Sequence, residues 1–127
     1  MIKMNVYLIA YSQNEYQRRR ILDFIKSQNV NIKYSNGPVK DLETILQDVD
    51  KVWVILPGVL NPGTFYCDIY KKELEAKKLN KPIEYFKINQ TGRYVGLVRK
   101  VEREDLVPHD FENIRRFFES KKDIFKK

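Results

Sequence analysis

Two carboxylates in one predicted helix are the side chains of this chain best suited to chemistry. The stretch VWVILPGVLNPGTFYCD, residues 52–68, passes from an apolar run through a loop with two prolines and two glycines into a helical pattern. Asp68 lies near the start of this helix, and Glu73 lies close to the centre of its apolar stripe. A carboxylate beside a pocket can serve as an acid or a nucleophile, whereas one on a buried stripe costs free energy unless it is paired. Both residues are therefore candidates for a catalytic role.

Each carboxylate also has a structural interpretation. Glu73 could pair with Lys77 at the i,i+4 spacing, at the edge of a broad apolar face. Asp68 could complement the helix dipole or pair with Lys72. Depth along the helix favours Asp68 as the acid, because at about 1.5 Å per residue Glu73 lies roughly 7–8 Å further from the strand ends.

The other reactive side chains of the chain are isolated. The single histidine, His109, precedes a predicted helix cap at Asp110, and the single cysteine, Cys67, is interpreted as a small core residue. No glycine-rich dinucleotide fingerprint follows the first apolar run, and no phosphate-binding loop or metal-ligand cluster is present in the sequence. We therefore expect neither a cofactor nor a metal site.

Alternating strand and helix patterns must position these carboxylates. We predict strands near residues 5–11, 31–35, 51–56 and 82–88 in one sheet, with the first and third adjacent and parallel. The third is the most apolar and should lie centrally. Residues 94–101 add a hairpin strand after a turn at 89–92. The predicted helices cover residues 14–28, 39–49, the stretch from Pro62 to about Asn80, and a terminal helix after Asp110. This alternation is typical of an α/β domain with a mostly parallel sheet flanked by helices.

A site in such a sheet should lie beyond the carboxyl ends of the strands, where the strand order reverses. The first and third strands end in Ser12-Gln13 and Pro57-Gly58. Arg18 is predicted on the apolar face of the first helix, where a cation could meet an anionic ligand group, although a structural salt bridge explains it as well. The remaining candidates follow the third strand: Asn61 as a helix cap, Thr64 beside the first-turn amides, and Tyr66 and Tyr70 as aromatic groups.

Length and charge set the class of protein. The chain has 127 residues, which favours one domain over its whole length, and a formal net charge of +7. Acidic residues are interleaved with the lysines and arginines, so we favour a solvated basic surface over a dedicated nucleic-acid face. One cysteine and no apolar stretch of about 20 residues favour a cytoplasmic protein without a membrane span.

The chain resembles the nucleoside 2-deoxyribosyltransferase-like superfamily of small Rossmann-like proteins. The resemblance covers roughly residues 4–88 and rests on VYLIA, on Asp50 before VWVILPG, on a carboxylate in the next helix, and on AKKLNKPIEYF. It implies a Rossmann-like or flavodoxin-like sheet, and a glutamate that attacks the anomeric carbon of a nucleoside while the free base leaves. When the family's spacing is counted forward from Leu56-Pro57-Gly58, the position of this glutamate falls near Asp68. When it is counted back from Ala76 and Lys81-Pro82, the position falls near Lys72 or Glu73.

The resemblance implies a nucleoside or nucleotide ligand in a cleft between the two loops. Tyr66 and Tyr70 could stack on a base, with Asp68 or Glu73 as the acid. Family members commonly complete their sites across subunits, so we expect a homo-oligomer. The alternative is a non-catalytic relative, for example one carried by a phage or other mobile element, that binds a protein partner or nucleic acid.

Bacterial Toll/interleukin-receptor-like domains are a weaker second resemblance. They share a flavodoxin-like sheet and have a tryptophan-cysteine-x-x-glutamate-like motif. Here YCDIY has Tyr70 where the acid would stand, which predicts no NAD hydrolysis.

Overall fold

The computed structural model describes residues 3–33, 42–57 and 64–106, and for residues 64–68 it describes the backbone. The strands are β1 (Asn5–Ala10), β2 (Asn31–Lys33), β3 (Lys51–Leu56), β4 (Ile83–Thr91) and β5 (Tyr94–Val101). The helices are α1 (Glu15–Gln28), α2 (Leu42–Gln47) and α3 (Thr64–Lys78), followed after β5 by a short 3-10 turn, η1 (Arg103–Asp105). The predicted start of the second helix at Val39 and the predicted terminal helix lie outside the described residues.

The strands form one sheet in the order β2-β1-β3-β4-β5. The first four are parallel, and β5 returns antiparallel to β4. The α/β fold class is confirmed, as is the parallel pairing of the first and third strands. None of the described helices is long and apolar enough to cross a membrane.

Two apolar cores lie on opposite faces of the sheet because successive side chains of a strand point to opposite sides. On one face Tyr7, Val54 and Leu56 pack against α2 and α3. On the other face Trp53 and Phe86 pack against α1, which contributes Ile21, Phe24 and Ile25 to that core. Because β3 is covered on both faces, its residues from Val52 to Leu56 are all buried, which confirms its predicted central place.

Helix α1 begins after Asn14, whose side-chain oxygen accepts a hydrogen bond from the backbone N–H of Gln17 at 2.9 Å. Its buried residues are Gln17 and Ile21, whereas Leu22 is 42% exposed. The apolar face is therefore rotated relative to the predicted one, and Arg18 lies on the exposed side of the helix. The reason is that a polar residue, Gln17, occupies the buried stripe with its hydrogen bonds satisfied.

The β4–β5 hairpin turns later than predicted. Strand β4 continues to Thr91, and the turn is formed by Gly92 and Arg93. Gly92 has a φ of +60°, which fits the first central position of a type II′ turn, a position that favours glycine. Between the pairs Ile88–Val98 and Gln90–Val95, β5 contains one residue more than β4. This bulge lets Val95 and Val98 both face α1.

Candidate functional site

The strand order reverses between β1 and β3, since β2 lies beyond β1 and β4 lies beyond β3. The backbone N–H of Tyr11 donates to the carbonyl of Ile55 at 3.2 Å, so the two strands stay paired to their ends. Ser12 and Gln13 are exposed at this edge, and Pro57 is half-buried. Parallel sheets bind their ligands at such a position.

For several of the predicted site residues the structure describes no side chain. Gly58 and Asn61 lie outside the described residues. For Thr64, Tyr66 and Asp68 the structure describes only the backbone, which is helical from Thr64 onwards.

Gln17 connects the loop after β1 to the hairpin. Its side chain is 1% exposed, and its Oε1 accepts a hydrogen bond from the backbone N–H of Gln13 at 2.7 Å. Its Nε2 donates to Oε1 of Gln90 at 2.8 Å, and the side chain of Asn14 donates to the same oxygen at 3.2 Å. A buried amide with these partners holds the loop in place. This role of Gln17 was not predicted from the sequence. The signal that could have indicated it is a polar residue one helical turn before the buried Ile21.

Glu73 is 2% exposed and is paired across the fold. Arg103 donates to it twice, from Nε to Oε2 at 2.9 Å and from Nη2 to Oε1 at 3.3 Å, and the hydroxyl of Tyr85 also donates to Oε2. The structural interpretation of Glu73 named the wrong partner. Lys77 is exposed, and the ion pair is made by Arg103. The forked pairing with a guanidinium satisfies a carboxylate that would otherwise be costly to bury.

The contacts of this cluster shift the pKa values of the two groups that donate to Glu73. Burial raises the pKa of the Tyr85 hydroxyl, and the hydrogen bond to Glu73 raises it further. The hydrogen bond to the Glu73 carboxylate also raises the pKa of Arg103, against the opposing effect of partial burial. Tyr85 is therefore a neutral donor and Arg103 a cation, and both donate hydrogen bonds to the Glu73 side chain.

The other predicted residues of this region have structural contacts. Tyr70 is half-buried and packs against the core between the sheet and α3. Lys72 is 8% exposed, with its Nζ 6.0 Å from the centre of the Tyr7 ring, a distance suited to a cation–π contact. Arg18 is exposed and pairs with Glu15 at 3.3 Å. Of the two interpretations of Arg18, a ligand contact or a structural salt bridge, this geometry fits the salt bridge.

A second charged cluster lies on the α1 side of the sheet, near the start of β3. The carboxylate of Glu84 contacts Nζ of Lys51 at 2.7 Å and Nζ of Lys100 at 2.8 Å, and the indole N–H of Trp53 donates to it at 3.1 Å. Partial burial opposes ionisation of Glu84, but the hydrogen bonds from Lys100, Lys51 and Trp53 outweigh it and lower the pKa to about 2. This cluster is remote from the carboxyl ends of the strands, and we assign it to stability.

This cluster predicts a specific acid response. A carboxyl with a folded-state pKa below its ordinary value of 4.5 contributes stability that is complete above pH 4.5 and is lost as the pH falls towards 2. We expect Glu84→Gln to lower the free energy of unfolding at neutral pH by about 1–2 kcal/mol, a value discounted for solvent screening. Urea unfolding of both proteins should show the difference shrinking below pH 4.5. The exposed Glu104→Gln serves as the control, and a difference that stays constant with pH would contradict the assignment.

A groove lies between α1 and the β4–β5 hairpin and has a volume of about 320 Å³. We call it the α1–hairpin groove, and its lining residues are Tyr16, Arg19, Arg20, Asp23, Arg93, Tyr94 and Val95. The run Arg18-Arg19-Arg20 belongs to the basic residues for which the sequence predicts a solvated surface, because nothing in the sequence brings residues 93–95 next to it. In the part of the chain that the structure describes, no group of three or more histidine, cysteine, aspartate or glutamate side chains could hold a metal ion.

Comparison with known proteins leaves the family open. No family model matches the chain, and no curated protein matches it. A solved structure described as "Heterocyclase in complex with substrate and Cofactor" is similar to this chain with a TM-score of 0.39 and 10% identity. The similarity covers 80% of this chain, which spans 12% of the length of that one. A likeness at this level assigns neither a family nor an activity.

Proposed function

We propose that this domain binds a nucleoside or nucleotide at the carboxyl ends of β1 and β3, and that it cleaves or transfers at the N-glycosidic bond. The observation that supports this most is the reversal of strand order between β1 and β3, with Ser12 and Gln13 exposed at that edge. The buried Gln17 holds the backbone of Gln13, so the loop is preorganised to offer polar groups to a sugar or a base.

We assign the catalytic carboxylate to Asp68 and not to Glu73. A nucleophile must reach the anomeric carbon, and Glu73 is 2% exposed with its oxygens bound by Arg103 and Tyr85. Asp68 lies earlier in α3, nearer the strand ends. In this proposal the Asp68 carboxylate attacks the anomeric carbon through an oxocarbenium-like transition state, the bond to the base breaks, and the base leaves with the electron pair and takes a proton from water. Water or a second base then displaces the carboxylate from the anomeric carbon, which completes cleavage or transfer.

We assign base stacking to Tyr66, because Tyr70 is already packed against the core. Arg18 has no part in this assignment, since it pairs with Glu15 on the exposed side of α1.

The test is a panel of ribo- and deoxyribonucleosides and their 5′-monophosphates. Calorimetry measures binding to the wild-type protein, and chromatography of the same mixtures measures free base. We expect saturable binding of at least one compound and release of its base. Failure to bind any compound of the panel would overturn the proposal.

A second candidate is a binding module without catalysis. The burial and pairing of Glu73 favour it. The count back from Lys81-Pro82 makes Glu73 a candidate for the family's nucleophile, but here its carboxylate forms a structural ion pair with Arg103. Binding of a nucleoside without base release, in the wild type, would select this candidate.

We also propose that the domain forms a homodimer. Leu74 projects from α3 with 39% of its surface exposed. The sequence of the predicted terminal helix adds Phe117, Phe118 and Phe125 at helical spacing, outside the described residues. Covering such apolar side chains would favour self-association. We expect sedimentation at tens of micromolar to give a dimer and Leu74→Lys to shift it towards monomer. A wild-type protein that sediments as a monomer throughout would contradict this.

A further inference from the structure

We propose that the α1–hairpin groove binds single-stranded nucleic acid, with phosphates on its arginines and bases on its two tyrosines. This site is separate from the proposed nucleoside site, because none of its lining residues belongs to the loops after β1 and β3. It does not depend on the proposed function.

The charge of the groove suits a phosphate backbone. Three arginines and one aspartate line it, which leaves a formal charge of +2. Nε of Arg20 donates to the backbone carbonyl of Val95 at 3.2 Å, so this side chain spans from α1 to the hairpin. A guanidinium has five N–H donors, and one such bond leaves others for a phosphate oxygen. Arg19 lies at the rim, 3.8 Å from Glu15, with 70% of its side chain exposed.

The aromatic residues of the groove are an independent observation. Tyr16 is 68% exposed and Tyr94 is 71% exposed. Within the residues whose side chains the structure describes, every other tyrosine, phenylalanine and tryptophan is buried or half-buried. Both exposed rings therefore line this one groove, beside the arginines. Aromatic rings next to cationic side chains are the combination with which proteins stack bases and hold the strand.

The same features favour a single strand over a duplex. In a duplex the faces of the bases are stacked on one another, so the rings of Tyr16 and Tyr94 could not reach them. A volume of about 320 Å³ is near the lower end for ligand pockets, enough for about one nucleotide of a strand that crosses the groove. Asp23 offers an acceptor for an N–H group of a base, such as the ring N–H of uracil or thymine.

The test uses fluorescence anisotropy with a labelled ten-nucleotide oligo-uridine and the matching oligo-thymidine. We expect saturable binding to the wild-type protein, and Tyr94→Ala should weaken it about 5- to 100-fold, while Tyr94→Phe should retain it. Arg93→Ala should weaken binding and reduce the slope of log affinity against log salt by about 1. The matched control is Arg99→Ala, which removes the same charge from an exposed position of β5 outside the lining of the groove.

Four outcomes would overturn the proposal. They are no oligonucleotide binding by the wild type, equal losses in Arg93→Ala and Arg99→Ala, equal affinity for duplex, and equal affinity for uridine 5′-monophosphate, which would make the groove a pocket for free nucleotides. Circular dichroism shows whether each variant is folded. Gln13→Ala should leave oligonucleotide binding unchanged, and Tyr94→Ala should leave nucleoside binding unchanged, so the two sites are tested separately.

Discussion

Replacing Arg103 with alanine should lower the free energy of unfolding by about 2–4 kcal/mol, because it leaves the Glu73 carboxylate buried without its cation. Tyr85 would remain as a donor, but a single hydroxyl cannot replace the two hydrogen bonds from a guanidinium. The side chain of Arg103 is 32% exposed, so solvent reaches the vacated position and the loss should not exceed this range. Urea unfolding at neutral pH measures it.

Two further variants show whether the loss comes from the pair. Arg99→Ala removes an exposed arginine from β5 and should change stability by no more than about 0.5 kcal/mol. A double variant, Glu73→Met with Arg103→Met, should be more stable than Arg103→Ala, since replacing a whole buried pair with apolar residues avoids the unpaired charge. A double variant that is less stable than Arg103→Ala would show that the unpaired Glu73 carboxylate is not the source of the loss.

In a wild-type protein that releases a base, Asp68→Asn should reduce the rate by at least about 10²–10⁴-fold, the range for a positioned acid or base group, because removing the nucleophile also removes the covalent route. Asparagine is close in size to aspartate but cannot form the same covalent intermediate or hold the same charge. Stability should change little, and circular dichroism checks that the variant is folded. Chromatography of free base under saturating nucleoside gives the rate.

Glu73→Gln is the matched comparison, because it removes the other candidate carboxylate by the same change. We expect it to lower stability, since glutamine offers Arg103 a weaker acceptor, while the rate per folded molecule stays near that of the wild type. If base release persisted in Asp68→Asn and disappeared in Glu73→Gln, the catalytic carboxylate would instead be Glu73, as the count back from Lys81-Pro82 allows.

The fold was largely readable from the sequence because its signals are local. The apolar run of β3 and the strand–helix alternation predicted a central parallel strand between two layers of helices, which the structure confirms. The hairpin turn was misplaced by polar residues at 89–91, because these belong to β4 and the turn depends on the backbone freedom of Gly92.

The pairing of side chains was less readable because it depends on contacts between distant segments. Arg103 reaches Glu73 across 30 residues of sequence, so a search of the same helix could only suggest Lys77. The burial of Gln17 depends on Gln90, which is 73 residues away. The α1–hairpin groove likewise joins two segments that are each unremarkable in sequence.

Nuclear magnetic resonance of the nitrogen-15-labelled protein, during titration with the compound of the nucleoside panel that binds most tightly, tests the proposed nucleoside site most directly. It reports where a ligand binds even in the absence of turnover. We predict saturable shifts of the backbone amides of Ser12 and Gln13, with little change at Ile32 in the edge strand β2. No shifts at Ser12 and Gln13, or shifts confined to Arg93 and Tyr94, would contradict a nucleoside site at the carboxyl ends of β1 and β3.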